Sequence, residues 1–373
     1  MRKLKILYMM HVHWSWIKQR PHFIAEYLTE NYDVTVCFDK SYRYAEQDIC
    51  DNRYDLKFKE LFVLPFKRIA IIANINKWLL ARQLSCVLTD YDIVWVTHPD
   101  LYDVIKNSLS HEITVVYDCM DDALEFPLAV NNPSLRRYIE SCEGELIARC
   151  NILIASSLHL KEKLLSRYSI DKAVHVLNNA INIYDNQIYD ESKIPRKLIY
   201  TLSNNKSKII LYLGTISSWL DLDVIMESVK RYTGITYILI GPVDVVIPQH
   251  ERIVYIPPVE HKYIFTIMDR ADALLMPFLI NELVLSVNPV KLYEYIYSLK
   301  PSIICKYEET EKFIDYVHLY TSREEYYDLV EQLLAGKLTL KMHQDKYLEF
   351  ALRNTWNERA SDIFNILNLH FAS

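Results

Sequence analysis

Lys291 and Glu294 have the types and spacing that most directly suggest chemistry in this chain. They follow Asn288-Pro289 and are closed off by Lys300-Pro301. Asn288 is a good N-cap, and Pro289 suits the first helical position, where a missing N–H costs nothing. The stretch from Asn288 to Tyr295 therefore reads as the opening of a helix. A helix N-terminus carries free N–H groups and partial positive charge, so it favours phosphate. Lys291 adds a full charge in the first turn, and Glu294 falls near the same face three residues on. Such an arrangement fits a nucleoside diphosphate, with Asn288 and Lys291 on the phosphate side and Glu294 on the ribose hydroxyls. The same residues also fit a capped amphipathic helix with a surface Lys–Glu pair.

A second group is Asp118, Asp121 and Asp122 in Tyr117-Asp118-Cys119-Met120-Asp121-Asp122. Three carboxylates at the end of an apolar run are costly if buried without partners. One of them could serve as general base for an acceptor hydroxyl. Asp118 would then be structural and Asp121 catalytic, with Asp122 beside it. Alternatively, Asp121 or Asp122 simply caps the next helix, and both roles can coexist. A third group is the loop His11-Val12-His13-Trp14-Ser15-Trp16 ahead of Arg20-Pro21. His13, Trp14, Trp16 and Arg20 could line a sugar pocket, because aromatic faces pack on sugar rings; otherwise the two tryptophans seal the domain core. His11-x-His13 lacks an evident third metal ligand.

Further along, Gly214, Thr215, Ser217 and Ser218 follow an apolar run and precede a helix near Asp221. Gly214 lets backbone approach a ligand, and the hydroxyls could donate to phosphate oxygens. Asp221-Leu222-Asp223 has the D-x-D pattern of a divalent-metal site, but capping explains it better at a helix start. Pro257-Pro258-Val259-Glu260-His261 could present backbone groups to a base.

These residues must be placed by strands that alternate with helices. Apolar runs suitable for strands lie at 5–10, 34–38, 62–66, 93–97, 114–118 and 152–156, then at 209–214, 237–241, 253–256, 273–277, 302–305 and 318–321. Strands separated by helix-length amphipathic segments imply parallel sheets of βαβ units. Two sets of about six imply two doubly wound domains. The polar stretch Asn178–Lys208 reads as the linker. The domains are expected at residues 1–185, joined by a C-terminal helix at 346–373, and at 200–345. Open sheets of this kind bind ligands at the C-terminal ends of their strands, which is where the three groups lie.

Composition narrows the classes. The chain has 373 residues and a net charge of −6, which argues against general nucleic-acid binding. Seven scattered cysteines, none spaced C-x-x-C, fit a reducing cytoplasm better than a disulfide framework or a zinc site. The apolar run after Met1-Arg2-Lys3-Leu4-Lys5 is too short for a signal peptide, and no stretch approaches a membrane span. With five glycines in all, Gly-rich phosphate loops are absent, which weakens dehydrogenase and P-loop readings. One stretch suggests a peripheral contact with anionic lipid. Lys57, Lys59, Lys67, Arg68, Lys77 and Arg82 interleave with Leu61, Phe62, Phe66, Ile69, Ile71, Ile72, Trp78 and Leu79. An ordinary strand–helix pair with a solvated charged face would look the same.

Taken in order, several short pieces resemble bacterial glycosyltransferases of the GT-B fold, in the group that includes teichuronic-acid and xanthan-type transferases. They are Trp16-x-x-Gln19-Arg20-Pro21-His22, Tyr117-Asp118-x-x-Asp121-Asp122, Leu213-Gly214-Thr215-x-x-x-Trp219-x-Asp221, Ile240-Gly241-Pro242, Ala271-Asp272-Ala273-Leu274-Leu275-Met276-Pro277-Phe278, Pro289-x-Lys291-Leu292-x-Glu294-Tyr295 and Trp356-x-x-Arg359-Ala360. The resemblance implies two Rossmann-like domains facing across a cleft, with a C-terminal helix crossing back to the first. It implies a nucleotide-sugar donor, with UDP the expected nucleotide, and no bound cofactor or metal. It implies a glycan or lipid-linked glycan acceptor in cell-surface polysaccharide synthesis, in the cytoplasm or at the inner face of the plasma membrane. It also puts Glu294 on the ribose, Lys291 near the diphosphate, Gly214 in the donor loop and Asp121 where related inverting enzymes keep a carboxylate. The Glu that many retaining relatives carry eight residues before the ribose-binding Glu is Ser286 here, which points towards inversion. Two other classes remain open: a nucleotide-sugar epimerase, which would form product without an acceptor, and a non-catalytic nucleotide or glycan binder.

Overall fold

The computed structural model describes residues 2–40, 54–66, 69–183, 193–204 and 206–372. The chain divides into two compact units, Met1–Asn179 with Trp356–Ser373, and Ala180–Thr355. Each is a parallel sheet flanked by helices.

The first unit contains β1 (Lys5–Met9), β2 (Asp33–Asp39), β3 (Lys57–Leu61), β4 (Ile93–Val96), β5 (Thr114–Cys119), β6 (Ile152–Ala155) and β7 (Val174–Val176). Their order in the sheet is β3-β2-β1-β4-β5-β6-β7. β1 is central, with Tyr8 aligned to Val36 on one side and to Trp95 on the other. Its sequence KILYM is almost entirely buried, as expected for a parallel strand covered on both faces. The strand order reverses between β1 and β4, which makes that point the natural ligand crevice.

The second unit contains β8 (Lys208–Leu213), β9 (Ile235–Ile240), β10 (Ile253–Ile256), β11 (Ala273–Met276), β12 (Ser302–Cys305) and β13 (His318–Tyr320). Their order is β10-β9-β8-β11-β12-β13, so the reversal falls between β8 and β11. The six apolar runs expected in this half all form strands, because central parallel strands read as unbroken Ile, Leu and Val.

Three expectations need correction. The strand expected at 62–66 lies instead at Lys57–Leu61, where KFKEL pairs with β2 from Lys57 opposite Thr35 to Leu61 opposite Asp39. This is an edge strand, and its lysines blunt an open edge, so it carries no apolar run. The apolar residues after it are held differently. The Phe62 N–H donates to Gln83 Oε1 at 2.9 Å and Gln83 Nε2 returns to the Phe62 carbonyl at 2.9 Å. Asn76 brackets Leu64 in the same way, at 2.7 and 3.0 Å. Secondly, three-residue β7 has no periodicity long enough to detect. Thirdly, the unit boundaries differ from 1–185, 200–345 and 346–373. Helix Gln344–Arg353 packs within the second unit, where Phe350 stacks on Tyr293 at 6.0 Å. The first unit takes back only the helix Trp356–Ala372, whose buried Trp356 stacks on Phe23 at 5.2 Å. Arg359 Nε donates to the Asn178 carbonyl at 3.0 Å, pinning this helix to the chain after β7.

Candidate functional site

In the second unit, the helix Val290–Tyr297 starts beside the C-terminal ends of the central strands. Tyr295 fixes its height: its hydroxyl accepts from the Leu213 N–H at 3.1 Å and donates to the Leu275 carbonyl at 3.2 Å, bridging β8 and β11. The helix begins one residue later than expected, with Pro289 at the N-cap. Asn288 is not the cap. It is buried, and its Nδ2 donates to Glu309 Oε2 at 2.9 Å. Glu309 is itself held by Lys312 at 2.7 Å, and Tyr307 donates to the Val287 carbonyl at 3.1 Å. Asn288 therefore anchors the turn that presents the helix end.

Glu294 is the centre of this end. Only 1% of it is exposed, and each carboxylate oxygen has a cationic or imidazole partner: Lys291 Nζ at 2.8 Å on Oε2 and His261 Nε2 at 2.6 Å on Oε1. Burial opposes its charge, but Lys291 and His261 win and hold the carboxyl down to about 2. His261, on the turn after β10, is the partner that sequence reasoning missed. It lies at the end of the Pro257–His261 segment, and its place after a strand end was the signal that could have found it. Val259, in the same segment, packs against the core of the unit.

Gly214 and Gly241 lie back to back after β8 and β9, at φ +155° and +149°. A Cβ on Gly241 would sit 2.0 Å from the Gly214 carbonyl oxygen, so only glycine allows the two loops this approach. Thr215 is half-buried beside them, its carbonyl accepting from the Tyr212 hydroxyl at 2.8 Å. Ser217 was expected to donate to phosphate, but it is buried and its hydroxyl donates to Asp244 at 2.9 Å. Asp221 caps the next helix through the Val224 N–H at 2.9 Å, with Arg323 at 3.5 Å, so the D-x-D pattern has a structural use.

In the first unit, the three carboxylates after β5 separate into distinct environments. Asp118 is fully buried against Arg20, with Nη2 to Oδ1 at 2.8 Å. Arg20 was expected to line a sugar pocket. Instead it is 3% exposed and also donates to the Leu177 carbonyl at 2.7 Å, tying the helix Arg20–Leu28 to the ends of β5 and β7. Asp122 is equally committed. Arg167 at 2.6 Å and Lys163 at 3.0 Å neutralise it, and Oδ1 caps the Leu124 N–H at 3.1 Å. Arg167 continues to Glu143 at 3.2 Å, where the hydroxyls of Tyr117 and Tyr168 donate at 2.7 and 2.8 Å. Asp122, expected beside the catalytic carboxylate, is thus buried in a satisfied network of ion pairs and hydrogen bonds. Asp121 alone is exposed. Desolvation by the surrounding chain, then repulsion from Asp122 and Asp118, push its carboxyl up to about 6 against the pull of Arg20 and His98.

The aromatic loop after β1 is mostly structural. Trp14 packs on Phe58 at 4.9 Å and His22 at 5.0 Å, sealing the β3 edge. His13 meets Phe38 edge-on at 4.8 Å, near Glu60 at 3.9 Å. Trp16 stays exposed. The loop after β4, which sequence reasoning passed over, brings His98 and Asp100 to the same strand ends, with His98 Nδ1 2.5 Å from Asp100 Oδ1.

Two doubly wound parallel sheets, the second with a Lys–Glu helix start at its switch point, define the GT-B class of fold, shared by glycosyltransferases. In sequence the chain is 22% identical, over 280 residues, to the Bacillus subtilis (strain 168) protein TuaH, named as a teichuronic acid biosynthesis glycosyltransferase. The match covers 71% of this chain and 68% of that protein. No family model matches the chain. Among solved structures it is similar to sucrose-phosphate synthase from Thermosynechococcus elongatus, with a TM-score of 0.75 and 10% identity over 99% of this chain and 100% of that one. It is also similar to Anabaena HepE in complex with UDP and glucose, with a TM-score of 0.69 and 13% identity over 98% and 99% of the two chains.

Proposed function

We propose that this chain is a glycosyltransferase that moves a sugar from a UDP-sugar to a hydroxyl of a glycan or lipid-linked glycan in cell-surface polysaccharide synthesis. The observation that carries this reading is the His261–Glu294–Lys291 constellation at a helix start beside the β8–β11 switch point. A carboxylate held ionised keeps lone pairs free for ribose hydroxyls even when each oxygen already has one partner. Lys291, with its side chain 30% exposed, and the helix N-terminus face the diphosphate. Gly214 and Gly241 give backbone the clearance to approach it. The similarity to TuaH and to the UDP-bound HepE supports the substrate class.

The barrier lies largely in departure of the diphosphate, and preorganised positive charge lowers it. Lys291 and the helix dipole supply that charge, so the reaction runs without a bound metal, and Asp221 stays with its cap. Ser286, eight residues before Glu294, takes the position where many retaining relatives carry a Glu, and Glu282 lies farther upstream at the start of the same helix, which favours an inverting reaction. The acceptor proton then passes to a base at the strand ends of the first unit, where Asp121 is exposed. The surface around Trp78 supports a peripheral contact with the inner membrane face, near a lipid-linked acceptor; no helix among the described residues is long and apolar enough to cross a membrane. UDP is expected to raise the melting temperature of the protein. Lys291→Ala is expected to remove that shift and to cut transfer by about 10²–10³, and Asp121→Asn to lower transfer. Full transfer by both variants against a panel of UDP-sugars would overturn the assignment.

A further inference from the structure

At the switch point of the first sheet, two loops bring two imidazoles together. His11 follows β1 and His98 follows β4, with ring centroids 5.4 Å apart. The hydrogen bonds fix both tautomers. Thr97 Oγ1 donates its one proton to the Met9 carbonyl at 2.9 Å, so its lone pairs face His11, and His11 Nδ1 at 2.9 Å must be the donor. On His98, Nδ1 faces a carboxylate oxygen at 2.5 Å, so it too carries the proton. Each Nε2 is left with its lone pair, and neither has a hydrogen-bond partner among the described residues. The Asp100 N–H also approaches this Nδ1, at 3.4 Å, as a cap on the helix Pro99–Ile105, but a protonated Nδ1 cannot accept it, and the much shorter contact to the carboxylate sets the tautomer. The short contact to Asp100 is an added constraint: it fixes ring orientation and tautomer as a carboxylate does for a general-base histidine.

We infer that His98 takes the proton from the acceptor hydroxyl and that Asp100 is its positioning residue. This rests on the glycosyl-transfer reading and names the base that it leaves open. The hydroxyl proton moves to His98 Nε2 as the oxygen forms its bond to the anomeric carbon. The carbon–oxygen bond to the diphosphate breaks, its electron pair leaves with the diphosphate, and the imidazolium later releases its proton to water. Asp121 is the weaker base, because no hydrogen bond or ion pair among the described residues orients its carboxylate, whereas His98 is held by Asp100.

The charges around the two rings explain why one of them titrates. His98 is faced by Asp100 on its own turn, Asp121 from the end of β5, Glu143 from the helix Pro133–Arg149, and His11. Desolvation opposes its charge, but the carboxylates, Asp100 foremost, raise its pKa above the ordinary histidine value. His11 is exposed at the strand ends, yet crowding by the surrounding chain and then His98 lower its pKa below the ordinary histidine value, which disfavours a second imidazolium beside the first.

The test compares wild type, His98→Asn and Asp100→Asn with one UDP-sugar and acceptor, reading kcat against pH together with thermal stabilisation by UDP. Asn is a strong N-cap, so His98→Asn keeps the helix start. We expect it to lose about 10²–10⁴ in kcat with UDP stabilisation intact. Asp100→Asn should lower kcat and move the acid limb of the profile to lower pH, since the carboxylate that favours the imidazolium is gone. Wild-type kcat in His98→Asn, or an unmoved acid limb in Asp100→Asn, would overturn the role. A wild-type protein that neither responds to UDP nor transfers sugar would instead overturn the glycosyl-transfer reading, and this inference with it.

Discussion

Asp118, Asp121 and Asp122 lie within five residues, yet only one is open to solvent. The order of carboxylates could be read from the chain; their partners could not, because Arg20 and Arg167 come from distant elements. The pairing predicts opposite outcomes for single and double substitutions. Arg20→Met leaves Asp118 buried without a counter-charge and should cost about 3–5 kcal/mol in urea unfolding, whereas Arg20→Met with Asp118→Leu should recover most of that loss. A double variant as unstable as the single one would show that Arg20 acts mainly through the Leu177 carbonyl. Glu294 gives a pH test. Its carboxyl is depressed to about 2, so its contribution to stability is fully present above the ordinary carboxylate value, about 4.3, and is lost as pH falls towards 2. Glu294→Gln should therefore be less stable than wild type at pH 6, with a gap that closes towards pH 2 in chemical denaturation. A gap independent of pH would mean that packing, not charge, is what the carboxylate supplies. The Lys291–Glu294 pair was legible because both residues sit on one helix; His261 was not, because its contact spans 33 residues.

Most central strands could be read from sequence, since a strand covered on both faces has one composition. The edges could not. β3 is mostly charged, with Phe58 and Leu61 its only apolar residues, and the apolar stretch beside it is clamped by the side-chain amides of Asn76 and Gln83. The helix start at Pro289 lies within a residue of its expected place, but Asn288 does not cap it, because Glu309 holds its amide nitrogen and the Tyr293 hydroxyl approaches its oxygen at 3.4 Å. The paired glycines are the element-scale feature with the sharpest consequence. Gly241→Ala puts a methyl carbon 2.0 Å from a backbone oxygen that no side-chain rotation can move. The loops after β8 and β9 must part, and Gly214 loses its bond to the Ile240 carbonyl, now 3.0 Å. A loss of about 2–4 kcal/mol in stability is expected, accompanied by a weaker thermal response to UDP. Unchanged UDP stabilisation in a destabilised Gly241→Ala protein would place the nucleotide away from these loops.

The whole molecule carries a net charge of −6, so any attraction to an anionic membrane must be local. The helix Ala70–Ser85 has two cations and no acid, and Ile71, Ile75, Trp78 and Arg82 recur at helical spacing. Phe66, Ile71 and Trp78 are 73, 72 and 58% exposed. Of the basic residues that suggested lipid binding, Lys67 and Arg68 lie outside the described residues. Lys57 is engaged by Asp33 at 2.6 Å and Lys77 by Asp103, while Arg82 lies 5.7 Å from the Trp78 ring centre. A lysine already paired adds little to the roughly 1 kcal/mol that each free cation gains at an anionic surface. Burying one large apolar side chain gains about 1.5–3 kcal/mol. The apolar face should therefore carry the larger share of membrane affinity. Vesicles with anionic headgroups are expected to co-sediment the protein, with only a modest decline as salt is raised. Ile71→Ser with Trp78→Ser should abolish binding while transfer to a water-soluble acceptor persists. Binding that vanishes at moderate salt but survives the double substitution would reverse that ranking and return the contact to its lysines and arginines.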